Sequence, residues 1–434
     1  MINKILEILR DNKNIDGWKI IQTQTESSEL FFVKKDIDMN RAKKVNDFSI
    51  TVYKDFEEDG TKYKGSSNIK IHPTMDETEI KTAIENAAFS AKFIKNEFYD
   101  LPKPNENQNT VAIESNLSQN TLGYWLPLLT KAIYSEDVYK NGGINSTEVF
   151  LNKSYIRIVT STGIDVNWNK YKGQIELVTN WTEGKEEVEL FSFIDFAQYN
   201  KELIAENVKE MIEMSKERAI AQKTPALNKY TVLLTGEPVK TLFEYYYLQA
   251  STEYVYNGFS TAKLDENIQG NSVTGDKINL TLEPFMEDSV FSQPYDYDGF
   301  PLKPLEIYND GKLKKYFGDS RYSQYVNVEQ TGIVKNLRFK GGSKTIEEMK
   351  RENHLEILAF SDFSLDPFTG DFAGEIRLAK YFDGNEEKIV SGGSISGNIK
   401  EVHGNMYLSK ELKQINNYVG PKTIQLFDVS VAGS

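Results

Sequence analysis

Residues 230–250 read YTVLLTGEPVKTLFEYYYLQA, and the fold can be built outward from them. Thr231-Val232-Leu233-Leu234 is a run of β-favouring and apolar residues, the mark of a buried strand. Thr235-Gly236 then supplies a helix N-cap. Pro238 falls in the first helical turn, where its missing N–H costs little. Val239, Leu242, Phe243, Tyr246 and Ala250 follow at i, i+3, i+4, i+7 and i+11, which is one helical face. A buried strand therefore feeds an amphipathic helix. In a hydrolase such a helix can carry metal ligands. Here Phe243, Glu244 and Leu248 stand where ligands and a base would be, and the helix contains no histidine.

The chain has 434 residues, which is long for one core and suggests two or three domains. With 39% hydrophobic and 26% charged residues the composition is that of a globular protein, and 24 Tyr and 24 Phe favour sheets. No uncharged apolar stretch is long enough to span a membrane. The opening MINKILEILRDNKNIDGWKI reads as an amphipathic helix rather than a signal peptide, with Ile2, Ile5, Leu6, Ile8 and Leu9 on one side. The absence of cysteine removes disulfides, thiolate nucleophiles and Cys–zinc sites, and fits a cytoplasmic protein. A net charge of −13 argues against a general nucleic-acid binder. The densest basic runs, Lys34-Lys35 and Arg41-Lys43-Lys44, read as solvated loops.

The expected fold class is α+β. An N-terminal α/β region of two sheet-and-helix units precedes a C-terminal domain with a large, mainly antiparallel β-sheet. Residues 1–100 form the first unit: a helix, a strand pair at Trp18–Gln24 and Ser28–Lys35, strands at Phe48–Tyr53 and Tyr63–His72, and a helix capped by Thr74 or Asp76 and running to about Asn96. The polar, proline-bearing Leu101–Asn109 marks a linker. Residues 101–226 form the middle unit. It has a helix near Leu122–Asp137, strands at Ser146–Asn152, Tyr155–Thr160, Gly173–Trp181 and Val188–Phe196, and a charged helix at Asn200–Gln222. Residues 227–434 form the β-rich C-terminal domain, with a hairpin signal at Asn309-Asp310-Gly311-Lys312.

Few residues offer obvious chemistry. The three histidines, His72, His354 and His403, are far apart in sequence and are read as isolated surface or edge residues. A Ser–His–Asp triad would need one of them, and no G-x-S-x-G elbow precedes a helix. Asp362, Asp366 and Asp371 in SDFSLDPFTGDFAG lack the spacing of an EF-hand and are read as turn residues around Pro367 and Gly370. Gly341-Gly342-Ser343 and Gly392-Gly393-Ser394 lack a P-loop lysine.

FSITVYKDFEEDGTKYKG, IVTSTGIDVNW, YDYDGFPLKPLEIYNDGKLKKYFGDSRYSQYVN, DPFTGDFAGEIRLAKYFDGN, SGGSISGNIKEV and the closing VSVAGS occur in this order along the chain. With the strand–helix at Tyr230–Ala250 they resemble the TldD/TldE (PmbA) family, a peptidase U62-like group once labelled modulators of DNA gyrase. The resemblance covers nearly the whole chain. It implies a metalloprotease of two similar subunits. The TldD type carries H-E-x-x-x-H on the helix that corresponds to Pro238–Ala250, with a cysteine near the C-terminus as a further ligand and the glutamate as base for a zinc-bound water. Positions i and i+5 lie about 140° apart on a regular helix, so that motif implies a local distortion. This chain departs from the pattern. Phe243 and Leu248 replace the histidines, only Glu244 is retained, and the cysteine is missing. It therefore resembles the TldE type, the subunit without the metal site.

Two readings follow from the resemblance and the departure. In the first, the chain is the non-catalytic subunit of a cytoplasmic metalloprotease involved in proteolysis or peptide maturation. It binds no cofactor itself, zinc is expected in a TldD-type partner, and the substrate is an extended peptide or unfolded protein added as a strand to a sheet edge. The assembly is a heterodimer with that homologue, or a homodimer, with no direct nucleic-acid or membrane partner. Tyr245, Ser260, Asp298, Gly299 and Asn398 are candidates for a peptide groove or interface. In the second, the chain is a stand-alone hydrolase using a metal held by carboxylates among Glu244, Asp298, Asp319, Asp362 and Asp371. A homodimeric peptide- or protein-binding protein is a further alternative.

Overall fold

The computed structural model describes residues 1–104 and 113–434; the linker expected over 101–109 thus lies partly outside the described residues. The first half contains α1 (Ile2–Asp11), β1 (Gly17–Val33), β2 (Asp36–Glu58), β3 (Thr61–Ile71), α2 (Glu77–Ala91), β4 (Asn96–Glu97), α3 (Leu122–Ile133), β5 (Gly142–Thr160), β6 (Asp165–Glu183), β7 (Glu186–Phe196) and α4 (Lys201–Ala219). One antiparallel sheet in the order β4-β3-β2-β1-β5-β6-β7 runs through all of it. The two sheet-and-helix units are its two halves, joined where β1 pairs with β5. Helices α1 and α2 cover one half through Ile5, Leu9, Ile80, Ile84 and Ala87 against Trp18, Ile20, Ile50 and Val52. Helices α3 and α4 cover the other half through Trp125, Leu129, Val208 and Ile212. Asp76 caps α2 in a capping box with Glu79.

The strand pair expected at 18–24 and 28–35 is a single strand, β1, and the two strands expected at 146–152 and 155–160 are likewise one, β5. The polar residues that read as breaks are paired across the sheet. Thr25 and Ser154 hydroxyls lie 3.1 Å apart, and Ser27 Oγ donates to Asn152 at 2.7 Å. Glu29, only 1% exposed, receives Arg41 at 2.5 Å and Lys43 at 2.9 Å. The basic run at 41–44 thus lies on a strand, with its charges matched by β1, rather than in a loop.

The second half continues with β8 (Gln222–Lys223), β9 (Asn228–Thr235), α5 (Glu237–Gln249), α6 (Thr252–Tyr256), β10 (Leu280–Glu283), β11 (Leu305–Asn309), β12 (Lys312–Leu313), α7 (Ser320–Tyr325) and β13 (Asn336–Phe339). It ends with α8 (Ile346–Met349), β14 (His354–Leu365), β15 (Asp371–Phe382), β16 (Glu387–Ser391), β17 (Ser394–Asn398), α9 (Ile399–Val402), β18 (Tyr407–Leu408), β19 (Leu412–Ile415), β20 (Tyr418–Pro421) and β21 (Thr423–Ala432). β14, β9, β21, β17 and β15 pair in turn, and β15 also pairs with β14, so these strands close on themselves. A second sheet runs β12-β11-β10-β13-β20-β19. Most pairings are antiparallel; β9–β14, β13–β20 and β8–β16 are parallel. One core fills the space between the two sheets, with α5 inside it. No helix among the described residues is long and apolar enough to cross a membrane.

Close packing of α2 on the sheet depends on Gly65 of β3. A Cβ there would lie 1.8 Å from the Ala91 carbonyl oxygen at the end of α2. Gly123, in the first turn of α3, faces open space. Denaturant titration should therefore show Gly65→Ala losing about 1–3 kcal/mol by overpacking. Gly123→Ala should be neutral or gain up to about 1 kcal/mol from helix propensity.

Candidate functional site

The site to be tested is the α5 helix. β9 delivers it through Gly236, at φ +79 and ψ −132, a backbone that favours glycine. Val239, Leu242, Phe243, Tyr246 and Ala250 are all fully buried, as their spacing requires. The Phe243 ring lies 4.7 Å from that of Phe339 on β13, 5.5 Å from Tyr246 and 6.4 Å from Tyr418 on β20. Tyr308 of β11 donates its hydroxyl to the Tyr246 carbonyl at 3.0 Å. The helix is thus pinned to the six-stranded sheet by aromatic side chains. Leu248 is half-buried, and Glu244 is exposed on another side of the helix. Even there, surrounding protein desolvates the Glu244 carboxyl and raises it above the usual carboxylate range, with Lys240 pulling the other way.

A catalytic zinc ion takes three protein ligands from His, Cys, Asp or Glu. Phe243 and Leu248 offer none, and no group of three or more such side chains able to hold a metal occurs among the described residues. The α5 residues do not fit a zinc ion.

The histidines differ from expectation. His72 is exposed, but His354 and His403 are buried. His354 Nδ1 is held 2.7 Å from the Glu352 carbonyl. His403 follows α9 and stacks on Tyr246 at 6.2 Å, with Nδ1 3.4 Å from the tyrosine hydroxyl. Burial pushes its imidazole down to about 4, with Lys400 a lesser cause, so it is a neutral core residue.

The candidate groove residues do not converge. Tyr245 is in the core, edge-on to Tyr246 and His403. Ser260 donates to the Gln249 carbonyl at 2.6 Å and so fastens the loop after α6 to the end of α5. Asp298 receives Lys19 of β1 at 2.6 Å, and Gly299, at φ +78, packs where a Cβ would meet Ile164 at 2.6 Å. This pair belongs to the contact with the N-terminal sheet. Asn398 donates to Asp371 Oδ1 at 2.8 Å and lines an open cleft of about 540 Å³ with Asp366, Asp371 and Glu401. Asp366 Oδ1 accepts the Phe368 and Thr369 N–H groups, the turn role read for it. Asp319 caps α7 through the Tyr322 N–H at 2.9 Å.

Sequence reasoning missed Asp296. It is 2% exposed, its Oδ1 accepts the Asp298 and Phe300 N–H groups, and its Oδ2 has no partner among the described residues. Burial first, then the Asp298 charge, raises its carboxyl well above the usual range. The spacing D-x-D-G marks only a turn; nothing in it signals burial.

Residues 227–433 match the model of the PmbA/TldA metallopeptidase C-terminal domain. The C-terminal half of the chain is thus a domain of the PmbA/TldA type. No curated protein matches its sequence. TldE from Thermococcus kodakarensis has a similar fold over 100% of both chains, with TM-score 0.79 and 19% identity. A protein from Thermotoga maritima labelled a modulator of DNA gyrase gives 0.77 and 16%, covering 100% of this chain and 99% of that one. Another so labelled from Bacteroides thetaiotaomicron gives 0.75 and 16%, covering 100% and 98%. At these identities the likeness is one of fold, and it covers the N-terminal half as well as the C-terminal one.

Two measurements check the burial of α5 and of His403. Phe243→Ala should cost about 3–5 kcal/mol in urea unfolding, the range for a buried aromatic. His403 should make the fold acid-sensitive. Its folded value lies below the ordinary histidine value of 6.5, so the stability it allows is present above 6.5 and is lost as pH falls toward about 4. His403→Gln should remove up to about 3 kcal/mol of that dependence, read from unfolding midpoints across the window.

Proposed function

We propose that this chain is the metal-free subunit of a two-chain peptidase and pairs with a TldD-type homologue that carries the zinc ligands. The observation that carries the reading is the burial of Phe243 between α5 and the six-stranded sheet, at the position where the family resemblance expects a ligand. A chain that keeps the whole architecture and fills the metal position with core is suited to shaping and enclosing a substrate chamber, while the partner does the chemistry. An extended peptide is the substrate class that best suits a protein so rich in strands. The outer edge of β2 supports this: β3 pairs with it only from Phe48 onward, which leaves the backbone of Asp36–Asp47 with β1 alone among the described residues. Strand addition there gives affinity through main-chain hydrogen bonds with little demand on sequence.

Co-expression with an H-E-x-x-x-H homologue from the same genome tests the proposal. The two chains should co-purify and cleave an unstructured peptide that neither cleaves alone. A chain that stays monomeric at micromolar concentration and leaves the homologue's activity unchanged would remove the partner-subunit reading.

A further inference from the structure

The N-terminal sheet has one face covered by helices and another that is bare at one end. In β1, Leu30 and Phe32 pack into the core under α3 and α4. Phe31 and Val33 therefore point to the opposite face. Strand pairing carries that face across three more strands. Phe31 stands opposite Glu148 of β5, Glu148 opposite Glu176 of β6, and Glu176 opposite Phe193 of β7. The row beside it runs Val33, Ser146, Val178 and Phe191. Phe150 adds its ring 5.6 Å from that of Phe31. Val33, Phe191 and Phe193 are each more than half exposed. The C-terminal domain covers the same face at Ile156, Ile158 and Trp168 through Tyr295. It also touches β7 on either side of the two phenylalanines. Arg377 donates to the Glu189 carbonyl at 2.9 Å, and Asn416 to Asp195 at 3.2 Å. Phe191 and Phe193 are left uncovered between these contacts.

Two features set this patch apart. Its exposed apolar residues lie together rather than singly, which marks an interaction surface. Glu148 and Glu176 are like charges directly opposite one another, an arrangement that costs stability. Neither carboxylate has a partner among the described residues. Arg41 and Lys43 of β2 are held by Glu29, and Lys172 of β6 by Asp195. The patch is apolar and acidic, and it lacks a cation.

The complement stands at the end of α2. This helix packs on the sheet through Ile80, Ile84, Ala87 and Ala91. Phe89 and Phe93, four residues apart, are turned outward and more than half exposed, with ring centroids 5.1 Å apart. Ile94 is exposed beside them. Lys92, the C-cap of the helix, is exposed and has no partner among the described residues. One surface of the chain is thus aromatic and acidic, and another is aromatic and basic.

We propose that the end of α2 of a second copy of this chain docks on the bare patch. Phe89 and Phe93 of one copy pack against Phe191 and Phe193 of the other, and Lys92 meets Glu148 and Glu176. The contact joins two different surfaces, so made twice it closes a two-fold dimer, and made once per chain it propagates. It stands whether or not the chain is a peptidase subunit.

Sedimentation velocity of the full chain, from low to high micromolar concentration, tests the proposal. The wild type should associate as concentration rises. Phe89→Ser, Lys92→Glu and the double variant Glu148→Lys/Glu176→Lys should each weaken association by about tenfold or more. The two charge variants should also complement one another. Mixed in equal amounts they set a basic patch against an acidic helix end, and association should return; a purely structural role for these residues predicts no recovery. Thermal unfolding of each variant confirms that it is folded, and if the double variant is not, Phe89→Ser and Lys92→Glu decide. The proposal is overturned if the wild type stays monomeric at high micromolar concentration, if the variants associate like the wild type, or if the mixture stays dissociated. A monomeric chain whose patch variants instead lose a co-expressed homologue would overturn it too, and would assign the patch to that partner.

Discussion

Phe243 sits where two sheets and one helix meet, and the C-terminal domain is assembled around that contact. Its ring, with Tyr246, packs on Phe339, while Tyr418 closes the cluster from the neighbouring strand. An aromatic ring buries a large apolar area and tolerates few positions. The helix must therefore keep this face toward the six-stranded sheet. A ligand set needs the opposite: polar side chains converging on a space open to water and substrate. The same residues cannot satisfy both demands, and in this chain they serve packing. Glu244, one residue on, stands about 100° round the helix and outside the cluster.

The N-terminal half obeys a different constraint. Its helices cover one face of the long sheet, and the other face is met only in part by the C-terminal domain. Strands of 17 to 23 residues would be a liability if their polar stretches were unpaired. They are instead cross-linked side chain to side chain, as with Ser27, Asn152, Glu29, Arg41 and Lys43. The seam is fastened by specific polar contacts as well, with Lys19 on Asp298 and Asp288 accepting the Ala197 and Gln198 N–H groups. Those contacts fix the sheet relative to the C-terminal domain.

The α5 face was legible because helical periodicity depends only on local spacing, and every residue assigned to it is buried. The α+β class followed from the order of elements for the same reason. Strand continuity was not legible at Gln24–Ser28 or Asn152–Ser154. A polar residue looks like a break until its partner on the next strand is known, and that partner lies more than a hundred residues away. His354 and His403 were misplaced because a histidine's burial depends on tertiary contacts, here Phe382 and Tyr246. The groove candidates scattered for a related reason: glycine, serine and asparagine at turns serve caps and close approaches as readily as a site.

The most direct measurement of the central claim is the dependence of unfolding on zinc. A metal held only by the native state raises stability by RT ln(1 + c/Kd), where c is the free zinc concentration. The isolated chain should unfold at the same temperature in micromolar zinc and in excess chelator, and Glu244→Gln should leave both midpoints unchanged. A zinc-dependent rise that chelator reverses and Glu244→Gln abolishes would show that α5 holds a metal after all and would contradict the account.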